Sequence, residues 1–421
     1  MSKKIKVLTI SDHPLSPSGV GSQTKYVIEA LLKSGKFEVI SFGGAMKHQN
    51  YQPLKVEPYG EEWRIVPVDG YGNPEMIRSV LRTEKPDILW FMTDPRFYGW
   101  LWEMENEIRG LVPMVYYHVW DNFPAPHFNR NSYLSNDRIC AISKVTHEIV
   151  KEVAPEVKCD YVPHAVDSNI FTQLTEEQIL EIRNTNLAET DKDKVIFFWN
   201  NRNARRKQSG SLLFWFKKFL DKVGHDKAQL IMHTDPKDPH GQDLEHIVEH
   251  LNLNEHRQVL LSVQKINQND LAVLYNMVDC TINISDAEGF GLATLESLSC
   301  GTPIIANMTG GLQEQIRSGS DLFGIPLFPE SKAVIGSQDV PYIYEDRLSE
   351  GQVVSALEKI FVMSREERRE LGIKGREHVM ENYNFETFNK QWINIMTEIY
   401  EEEGSWENRK KYNGIRFLEV A

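Results

Sequence analysis

The chain has 421 residues, of which 41% are hydrophobic and 25% are charged, a composition typical of a globular protein that buries a real core. This length is long for one domain and natural for two. The formal net charge of −13 disfavours a protein that grips nucleic acid over a wide surface, because backbone phosphates demand a basic footprint.

The cysteines and the N-terminus indicate the compartment. The four cysteines, at positions 140, 159, 280 and 300, form no C-x-x-C pair, so neither a zinc site nor a disulfide framework is predicted. The start, MSKKIKVLTIS, has the pattern of a first β-strand and not of a signal peptide. No apolar run approaches the ~20 residues that span a bilayer. A cytoplasmic protein is predicted, and peripheral association with the inner face of the membrane stays open.

Short apolar runs alternate with helical patterns through residues 1–170. The predicted strands and helices, in chain order, are IKVLTIS, the helix SQTKYVIEALLKSG, FEVISFG, RIVPVDG, the helix NPEMIRSVLRTEK, DILWFMT, PMVYYHV, DRICAIS, the helix KVTHEIVKEV and the short strand CDYVPHAV. Continuous apolar strands in βα alternation are typical of a parallel sheet with helices on both faces. This region is predicted to be one doubly wound, Rossmann-like α/β domain.

A second series follows a polar connection. Residues 171–194 are predicted to be a linker that contains one helix. Strands and helices then alternate again from VIFFWNN onward, which predicts a second doubly wound domain over residues 195–384, with a loop-rich insertion at about 317–347. Residues 385–421 comprise an amphipathic helix, with aromatic anchors at Phe385, Phe388 and Trp392, and a polar tail that is expected to be peripheral.

The first glycine-rich loop follows the first strand. Ligands of such sheets bind at the carboxyl ends of the strands, and two facing domains would form a cleft there. The loop SDHPLSPSGVGSQT contains Gly19 and Gly21, but Thr24 replaces the third glycine of the dinucleotide fingerprint, and no Walker lysine follows. The pattern therefore indicates a helix N-terminus that offers unpaired amides to an anion, with a ligand-free tight turn as the alternative.

Two further loops carry candidate side chains. In VYYHVWDNFPAP, His118 lies near the end of a strand, and it is either a functional residue or a satisfied structural histidine. In FFWNNRNARRKQSG, a strand ends before a run of cations, and a diphosphate needs cations at that position. Arg202 and Lys207 are predicted to bind phosphate, whereas Arg205 and Arg206 are expected to face water.

The stretch SDAEGFGLATLESLSCGTPI places two carboxylates, Glu288 and Glu296, eight positions apart. A strand ends before it, and a helix is predicted from about Leu292 to Cys300, where Gly301 stops it. The glycines at 289 and 291 allow close approach of a ligand to the backbone. Glu296 would accept hydrogen bonds from a vicinal diol at one end of a ligand, and Glu288 would meet a polyhydroxylated group at the other end. The helix N-terminus would face a diphosphate between them, so the implied ligand is a nucleotide-sugar.

The segment Glu288-Gly-Phe-Gly-Leu-Ala-Thr-Leu-Glu296 resembles the E-x7-E motif of retaining GT-B glycosyltransferases, particularly family 4. Arg202 and Lys207 resemble that family's diphosphate ligands, and the resemblance covers roughly residues 5–400. It implies two Rossmann-like domains that face each other across a cleft, and a C-terminal helix that crosses back to an acceptor-binding N-terminal domain.

The resemblance also implies roles for individual residues. Glu288 and His118 would be catalytic. The donor would be bound by the two glycine loops, the cations and the ribose carboxylate, that is by Gly19, Gly21, Arg202, Lys207, Gly289, Phe290, Gly291, Leu292 and Glu296.

The implied reaction is a retaining transfer of a hexose-type sugar from a UDP-, GDP- or ADP-sugar to a hydroxyl of a glycan, a lipid-linked molecule or another acceptor. It requires neither a metal nor a further cofactor. A GT-B nucleotide-sugar epimerase and a non-catalytic nucleotide-sugar or glycan-binding protein are the alternatives.

Overall fold

A computed structural model of the chain describes residues 3–414. These residues form two compact units. The first unit comprises the chain up to Ala165, the short segment Gln338–Pro341 and the residues from Phe385 onward. The second unit comprises Val166–Ser337 and Tyr342–Asn384, and it includes the segment 171–194 that the sequence predicts as a linker.

An eight-stranded sheet forms the centre of the first unit. Its strands are β1 (Ile5–Asp12), β2 (Phe37–Gly44), β3 (Leu54–Val56), β4 (Gly60–Pro67), β5 (Ile88–Met92), β6 (Met114–His118), β7 (Arg138–Ala141) and β8 (Cys159–Tyr161). They lie in the order β3-β4-β2-β1-β5-β6-β7-β8, and every neighbouring pair is parallel except β3 with β4. Strands β5 and β6 are buried at every residue, which explains their continuous apolar sequences.

Helices connect these strands. They are α1 (Gly19–Lys33), α2 (Pro74–Glu84), α3 (Gly99–Glu103), α4 (Glu105–Arg109), α5 (Arg130–Leu134) and α6 (Lys144–Val153). Side-chain caps define where the longer ones begin: Ser18, Asn73 and Ser143 each accept a hydrogen bond from an amide of the first turn. The sequence-based prediction of a βα series is confirmed for this unit.

The second unit contains the remaining strands. They are β9 (Val195–Asn200), β10 (Ala228–His233), β11 (Val259–Ser262), β12 (Cys280–Asn283), β13 (Ile304–Asn307), β14 (Arg317–Ser318), β15 (Asp321–Leu322), β16 (Ile325–Leu327), β17 (Ser331–Ile335) and β18 (Ile343–Arg347). Six of them form a parallel sheet in the order β11-β10-β9-β12-β13-β16. The others form the antiparallel hairpins β14–β15 and β17–β18.

These hairpins correct the expectation of a loop-rich insertion at 317–347. The segment contains five of the short strands, which take up 17 of its 31 residues, so it alternates short strands with loops. The sequence does not reveal them because strands that are largely exposed need no apolar alternation.

Helices cover the six-stranded sheet. They are α7 (Glu176–Asn186), α8 (Ser209–Val223), α9 (Leu244–His250), α10 (Gln268–Met277), α11 (Leu292–Ser299), α12 (Leu312–Ile316), α13 (Glu350–Val362) and α14 (Arg365–Asn382). The predicted start of α11 at Leu292 is confirmed. Gly301 follows its C-cap with a φ of +73°, the left-handed conformation that favours glycine at this position. Phe197, Trp199 and Phe216 belong to the fully buried core of this unit.

The last helix, α15 (Phe385–Glu403), belongs to the first unit. Phe388 and Trp392 are buried, and the Trp392 ring lies 5.9 Å from the ring of Trp90 and 4.8 Å from that of Tyr117. The Phe385 ring packs edge-on against Tyr26 of α1. The prediction that an aromatic C-terminal helix returns to the N-terminal domain is confirmed.

The polar segment after α15 is packed against the first unit as far as residue 414. The indole Nε1 of Trp406 donates to the Pro86 carbonyl at 2.9 Å, and Arg409 pairs with Asp137 at 2.7 Å. The expectation of a peripheral tail is wrong for this part, because its polar side chains find partners far back in the chain. The rest of the predicted tail lies outside the described residues.

Among the helices between residues 3 and 414, none combines the length and apolar character that a bilayer crossing needs.

Candidate functional site

The loop between β12 and α11 contains Glu288, the first residue of the E-x7-E segment. Close contacts at two glycines hold this loop in place. Gly291 has a φ of +94°, and a Cβ there would lie 2.4 Å from Cδ2 of Leu312. A Cβ on Gly311 would lie 2.6 Å from the carbonyl oxygen of Gly289. The amide of Gly311 also donates to the Glu288 carbonyl at 3.1 Å. Residues 288–291 therefore pack directly on the turn before α12, at a distance that glycine permits.

Phe290 and Leu292 complete this loop. Phe290 is buried, and its ring packs against that of Tyr383, so it anchors the loop to the interior of the unit. Leu292 is the first residue of α11 and therefore presents its amide at the helix N-terminus. The loop thus combines an apolar anchor with backbone donors of the kind that bind anions.

Lys207 and Glu288 form an ion pair although 81 positions separate them. The Lys207 side chain is 9% exposed and that of Glu288 is 12% exposed. Burial raises the pKa of Glu288, but the charges of Lys207 and Arg206 outweigh it and leave the pKa below its usual value. Glu288 is therefore a carboxylate at neutral pH, held next to an ammonium group.

The two other arginines of the cationic run also find partners. Arg206 donates to the Ala287 carbonyl, and its Nη1 lies 3.6 Å from Oε2 of Glu288. Arg205 remains half exposed, yet its Nη1 donates to Oε2 of the buried Glu345 at 2.9 Å. The side chains of Arg205 and Arg206 are 54% and 38% exposed, so both face water in part as expected, and the fold also brings acceptors from β18 and from the Glu288 loop beside them.

Arg202 lies in a different environment from Lys207. Its side chain is 61% exposed, and its Nε donates to Oδ2 of Asp238 at 2.6 Å. The hydrogen bond from Arg202 lowers the pKa of Asp238 to about 2. The structure therefore brings Lys207 to the Glu288 loop and pairs Arg202 with the loop after β10.

Glu296 lies on α11 beside Tyr275 of α10. The Tyr275 hydroxyl donates to Oε2 of Glu296 at 2.9 Å and accepts a hydrogen bond from Nδ2 of Asn200 at 2.9 Å. Burial raises the pKa of Glu296 to about 7, and the Tyr275 hydrogen bond partly opposes this shift. Neither partner is predicted from the sequence. Asn200 carries a usable signal, a polar side chain at the end of a buried strand, whereas Tyr275 carries none.

A third acid of the same loop, Asp286, also escapes the sequence analysis. It is buried, its Oδ2 accepts from Gln208 at 2.5 Å, and Nη1 of Arg347 lies 3.2 Å from that oxygen. Burial raises its pKa to about 6. Its place shortly after a buried strand, two residues before Glu288, is the signal that could have revealed it.

The glycine turn of the first unit opens α1. Ser18 accepts a hydrogen bond from the Gly21 amide at 2.9 Å and donates one to Oδ2 of Asp12 at 2.7 Å. Gly19 is exposed as the first residue of the helix. The expectation of unpaired amides is therefore wrong for Gly21, because the N-cap serine already satisfies that donor.

His118 is the last residue of β6 and is fully buried. Its Nε2 lies 2.6 Å from the Tyr133 hydroxyl, whereas Nδ1 has no hydrogen-bond partner within residues 3–414. Burial lowers its pKa to about 3, so the imidazole is neutral. One nitrogen is thus fixed by Tyr133, and the other is left without a partner in the described chain.

Over the same described range, no three or more His, Cys, Asp or Glu side chains are arranged to hold a metal ion.

Residues 181–332 match the family model described as glycosyl transferases group 1. This segment is a group 1 glycosyl transferase domain. It contains Arg202, Lys207, the Glu288 loop and Glu296, and the resemblance predicted from these residues is confirmed. The first unit and both ends of the second unit lie outside the match.

Curated relatives match parts of the chain. The N-acetyl-alpha-D-glucosaminyl L-malate synthase of Bacillus anthracis is 26% identical over 259 residues, which cover 60% of this chain and 56% of that protein. The D-inositol 3-phosphate glycosyltransferase 2 of Catenulispora acidiphila is 34% identical over 91 residues, 21% of each chain. The chain therefore spans about half, or less, of the length of these relatives.

Solved structures match over nearly the whole chain. The sucrose-phosphate synthase of Thermosynechococcus elongatus gives a TM-score of 0.74 at 18% identity, covering 94% of this chain and 100% of that one. HepE of Anabaena, solved with UDP and glucose, gives a TM-score of 0.67 at 13% identity, covering 94% of this chain and 100% of its own. These likenesses establish the fold: the group 1 domain is part of a GT-B chain with two Rossmann-like units.

Proposed function

We propose that this protein is a retaining glycosyltransferase that uses a nucleoside-diphosphate sugar. The observation that carries the proposal is the buried pair of Lys207 and Glu288 at the start of the E-x7-E segment. A carboxylate held ionised beside an ammonium group suits a ligand with positive charge at a sugar carbon and negative charge on a diphosphate.

The donor diphosphate is assigned to the cations and to the start of α11. Lys207 and the amides of residues 289–292 contact its oxygens, and Arg202 joins them by releasing or sharing Asp238. Arg206, which the sequence analysis does not select, lies against the same loop and adds a further positive charge. In this proposal cations and backbone dipoles stabilise the leaving diphosphate, so no metal is required.

The two ends of the donor are assigned to the two acids. Glu296, once ionised, accepts hydrogen bonds from the ribose hydroxyls. Glu288 lies against the sugar and stabilises positive charge at its anomeric carbon. For His118, which is fully buried in the first unit, the catalytic role that the resemblance implies stays a prediction.

The proposed reaction exchanges one bond at the anomeric carbon. The bond from this carbon to the diphosphate oxygen breaks, and the acceptor hydroxyl oxygen forms the new bond on the same face. The acceptor proton passes to the departing diphosphate. The names of two relatives point to malate and inositol 3-phosphate as their own partners. For this chain the proposed acceptor is a hydroxyl of a glycan, of a lipid-linked molecule or of another small molecule.

A donor screen followed by Glu288→Gln tests the proposal. A thermal-shift series with UDP-, GDP- and ADP-sugars should single out one nucleotide, since a ligand at 100 times its Kd adds about 2.7 kcal/mol of stability. Glu288→Gln should keep binding of that nucleotide and lower transfer by about 10²-fold or more. Glu255→Gln, which changes an exposed acid after α9, is the matched control. Full activity of Glu288→Gln would refute the assignment.

The same assay separates the two alternatives. Incubation with the nucleotide-sugar alone should leave its sugar unchanged, whereas an epimerase would isomerise it without an acceptor. Addition of pooled hydroxyl acceptors should release the free nucleoside diphosphate, whereas a non-catalytic binding protein would bind the donor and release nothing.

A further inference from the structure

A small cavity lies where the strands of the six-stranded sheet begin, whereas the Glu288 loop lies where they end. It is lined in part by residues 277–279, which precede β12, and by residues 300–303, which precede β13. The Glu288 loop follows the carboxyl end of β12, so this strand separates the two places. Residues of α7 and α14 complete the walls of the cavity, which measures about 60 Å³.

The charged side chains around the cavity are mostly arginines. Arg183, Arg365, Arg368 and Arg369 face two carboxylates, Asp279 and Glu176, and the other lining residues are uncharged. Four positive charges against two negative ones leave an excess of two, in a chain whose formal net charge is −13. This local excess is opposite in sign to the charge of the protein as a whole.

The carboxylates occupy only some of the guanidinium donors. Arg183 and Arg368 share Asp279, with N–O distances of 3.1 and 3.2 Å. Arg369 pairs with Glu176 at 2.9 Å. Arg365 has no ion pair within residues 3–414, and Nε of Arg368 is buried without an acceptor there. Arg183 and Arg368 also donate to backbone carbonyls, among them those of Lys194 and Met363. The donors left for a ligand are therefore mainly those of Arg365 and the ones of Arg369 that Glu176 does not use.

The start of α14 carries two of the four arginines. Ser364 caps this 18-residue helix, and the Glu367 side chain turns back to accept from the Ser364 amide at 2.7 Å. Arg365 and Arg369 extend from the first two turns of this helix. The carboxylates of Glu366 and Glu367 in its first turn offset the helix dipole, so the positive charge at the cavity comes from the guanidinium groups.

We propose that the cavity between α7, α14 and the amino ends of β12 and β13 is a binding site for a small oxyanion of the phosphate class. Guanidinium groups present planar pairs of N–H donors that match phosphate oxygens. The volume of about 60 Å³ suits a small anion and is far below the ~300 Å³ of a drug-sized pocket. The occupant is free inorganic phosphate or the phosphate of a small phosphomonoester whose remainder extends into solvent.

Titration calorimetry of the full chain at low ionic strength tests this site, with inorganic phosphate and glycerol 3-phosphate as separate probes. Saturable binding of phosphate with a Kd below ~10 mM is expected. Arg365→Ala/Arg369→Ala should weaken it at least about tenfold, because the variant removes the two guanidinium groups of the cavity that are most accessible. Tighter binding of glycerol 3-phosphate identifies a phosphomonoester as the occupant, and equal or weaker binding identifies free phosphate.

Two control variants test whether phosphate binds at this cavity and not elsewhere on the protein. Arg317→Ala/Lys374→Ala removes the same charge from exposed positions of the same unit and should bind phosphate as the unchanged protein does. Arg202→Ala should also retain binding, which separates this site from the proposed donor site. The proposal fails if no saturable binding occurs, if the arginine pair can be removed without effect, or if either matched variant weakens binding equally.

Discussion

The hydroxyl of Tyr275 donates a hydrogen bond of 2.9 Å to Oε2 of Glu296. Asn200 donates in turn to the same hydroxyl, so the three side chains tie the end of β9 and α10 to α11. Because Tyr275 is fully buried, the orientation of Glu296 depends on a group that solvent does not reach. Tyr275 is thus a positioning residue for the proposed ribose carboxylate.

Tyr275→Phe should raise the KM for the nucleotide-sugar several-fold and leave kcat nearly unchanged. The phenyl ring keeps the packing but removes a hydrogen bond to a carboxylate, which is worth about 1.5–3 kcal/mol. The loss of this donor should also move the pKa of Glu296 further upward, because the donor stabilises the charged form. Steady-state kinetics across a pH series measure both effects, and Tyr344→Phe on the hairpin β17–β18 is the control. An unchanged KM would show that Tyr275 does not contribute to binding of the donor.

The raised pKa of Glu296 predicts how donor binding responds to pH. The carboxylate accepts two hydroxyl hydrogen bonds, whereas the protonated form must give up one acceptor position. The KM for the donor should therefore fall as the pH rises through about 7, the pKa of this group. Glu296→Gln should bind the donor weakly at every pH and lose this dependence. The ribose assignment would be contradicted if the variant and the unchanged protein had the same KM for the donor at every pH.

Glu296 also predicts a stability effect that does not depend on any substrate. Its pKa is raised from 4.5 to about 7 in the folded protein, so the folded state holds this proton more tightly than the unfolded chain does. The associated stability is complete below about pH 4.5 and is lost as the pH rises to about 7. Glu296→Gln, which resembles the protonated form, should therefore raise the Tm at pH 8 and change it little at pH 4. Calorimetric Tm values at both pH values measure the difference, and equal changes at the two would contradict the prediction.

Lys207→Gln should impair the Glu288 carboxylate itself. Without the ammonium charge, burial dominates and the pKa of Glu288 rises, so the acidic limb of the pH–rate profile should move to higher pH. The rate at neutral pH should fall by about 10²-fold or more, since a cation at the proposed diphosphate is lost as well. Lys222→Gln, which breaks an exposed ion pair with Glu358, should change neither property. A pH profile that stays in place would show that Lys207 does not control the charge of Glu288.

Arg409→Ala tests whether the segment after α15 stabilises the first unit. Arg409 and Asp137 are each 6% exposed, and Arg409 also donates to the Arg109 carbonyl at 2.7 Å. Asp137 keeps its hydrogen bond from the Met114 amide, so the loss in the free energy of unfolding should be about 1–3 kcal/mol. Urea denaturation measures it as a lower midpoint. Lys411→Ala, at an exposed neighbouring position, should leave the midpoint unchanged, and equal midpoints for both variants would contradict the structural role.

The sequence predicts the α/β class because buried parallel strands need continuous apolar runs, and runs such as ILWFM and MVYYH follow each other between helical patterns. It also predicts the start of α11 and the C-terminal aromatic helix, since caps, glycines and apolar spacing are local properties. The short strands between 317 and 347 escape prediction, because hairpins that bury few side chains leave no apolar alternation in the sequence.

The candidate site residues can likewise be identified from the local sequence, but their protonation and orientation cannot. The residues of the segment 285–296 determine by themselves that one acid precedes a glycine turn and that another lies in the helix after it. Only the tertiary structure decides that Glu288 is paired with Lys207, that Arg202 is paired with Asp238, and that Tyr275 supports Glu296. The physical reason is that protonation and orientation depend on burial and on charges within a few ångströms, and these neighbours come from strands and helices that are distant in the chain.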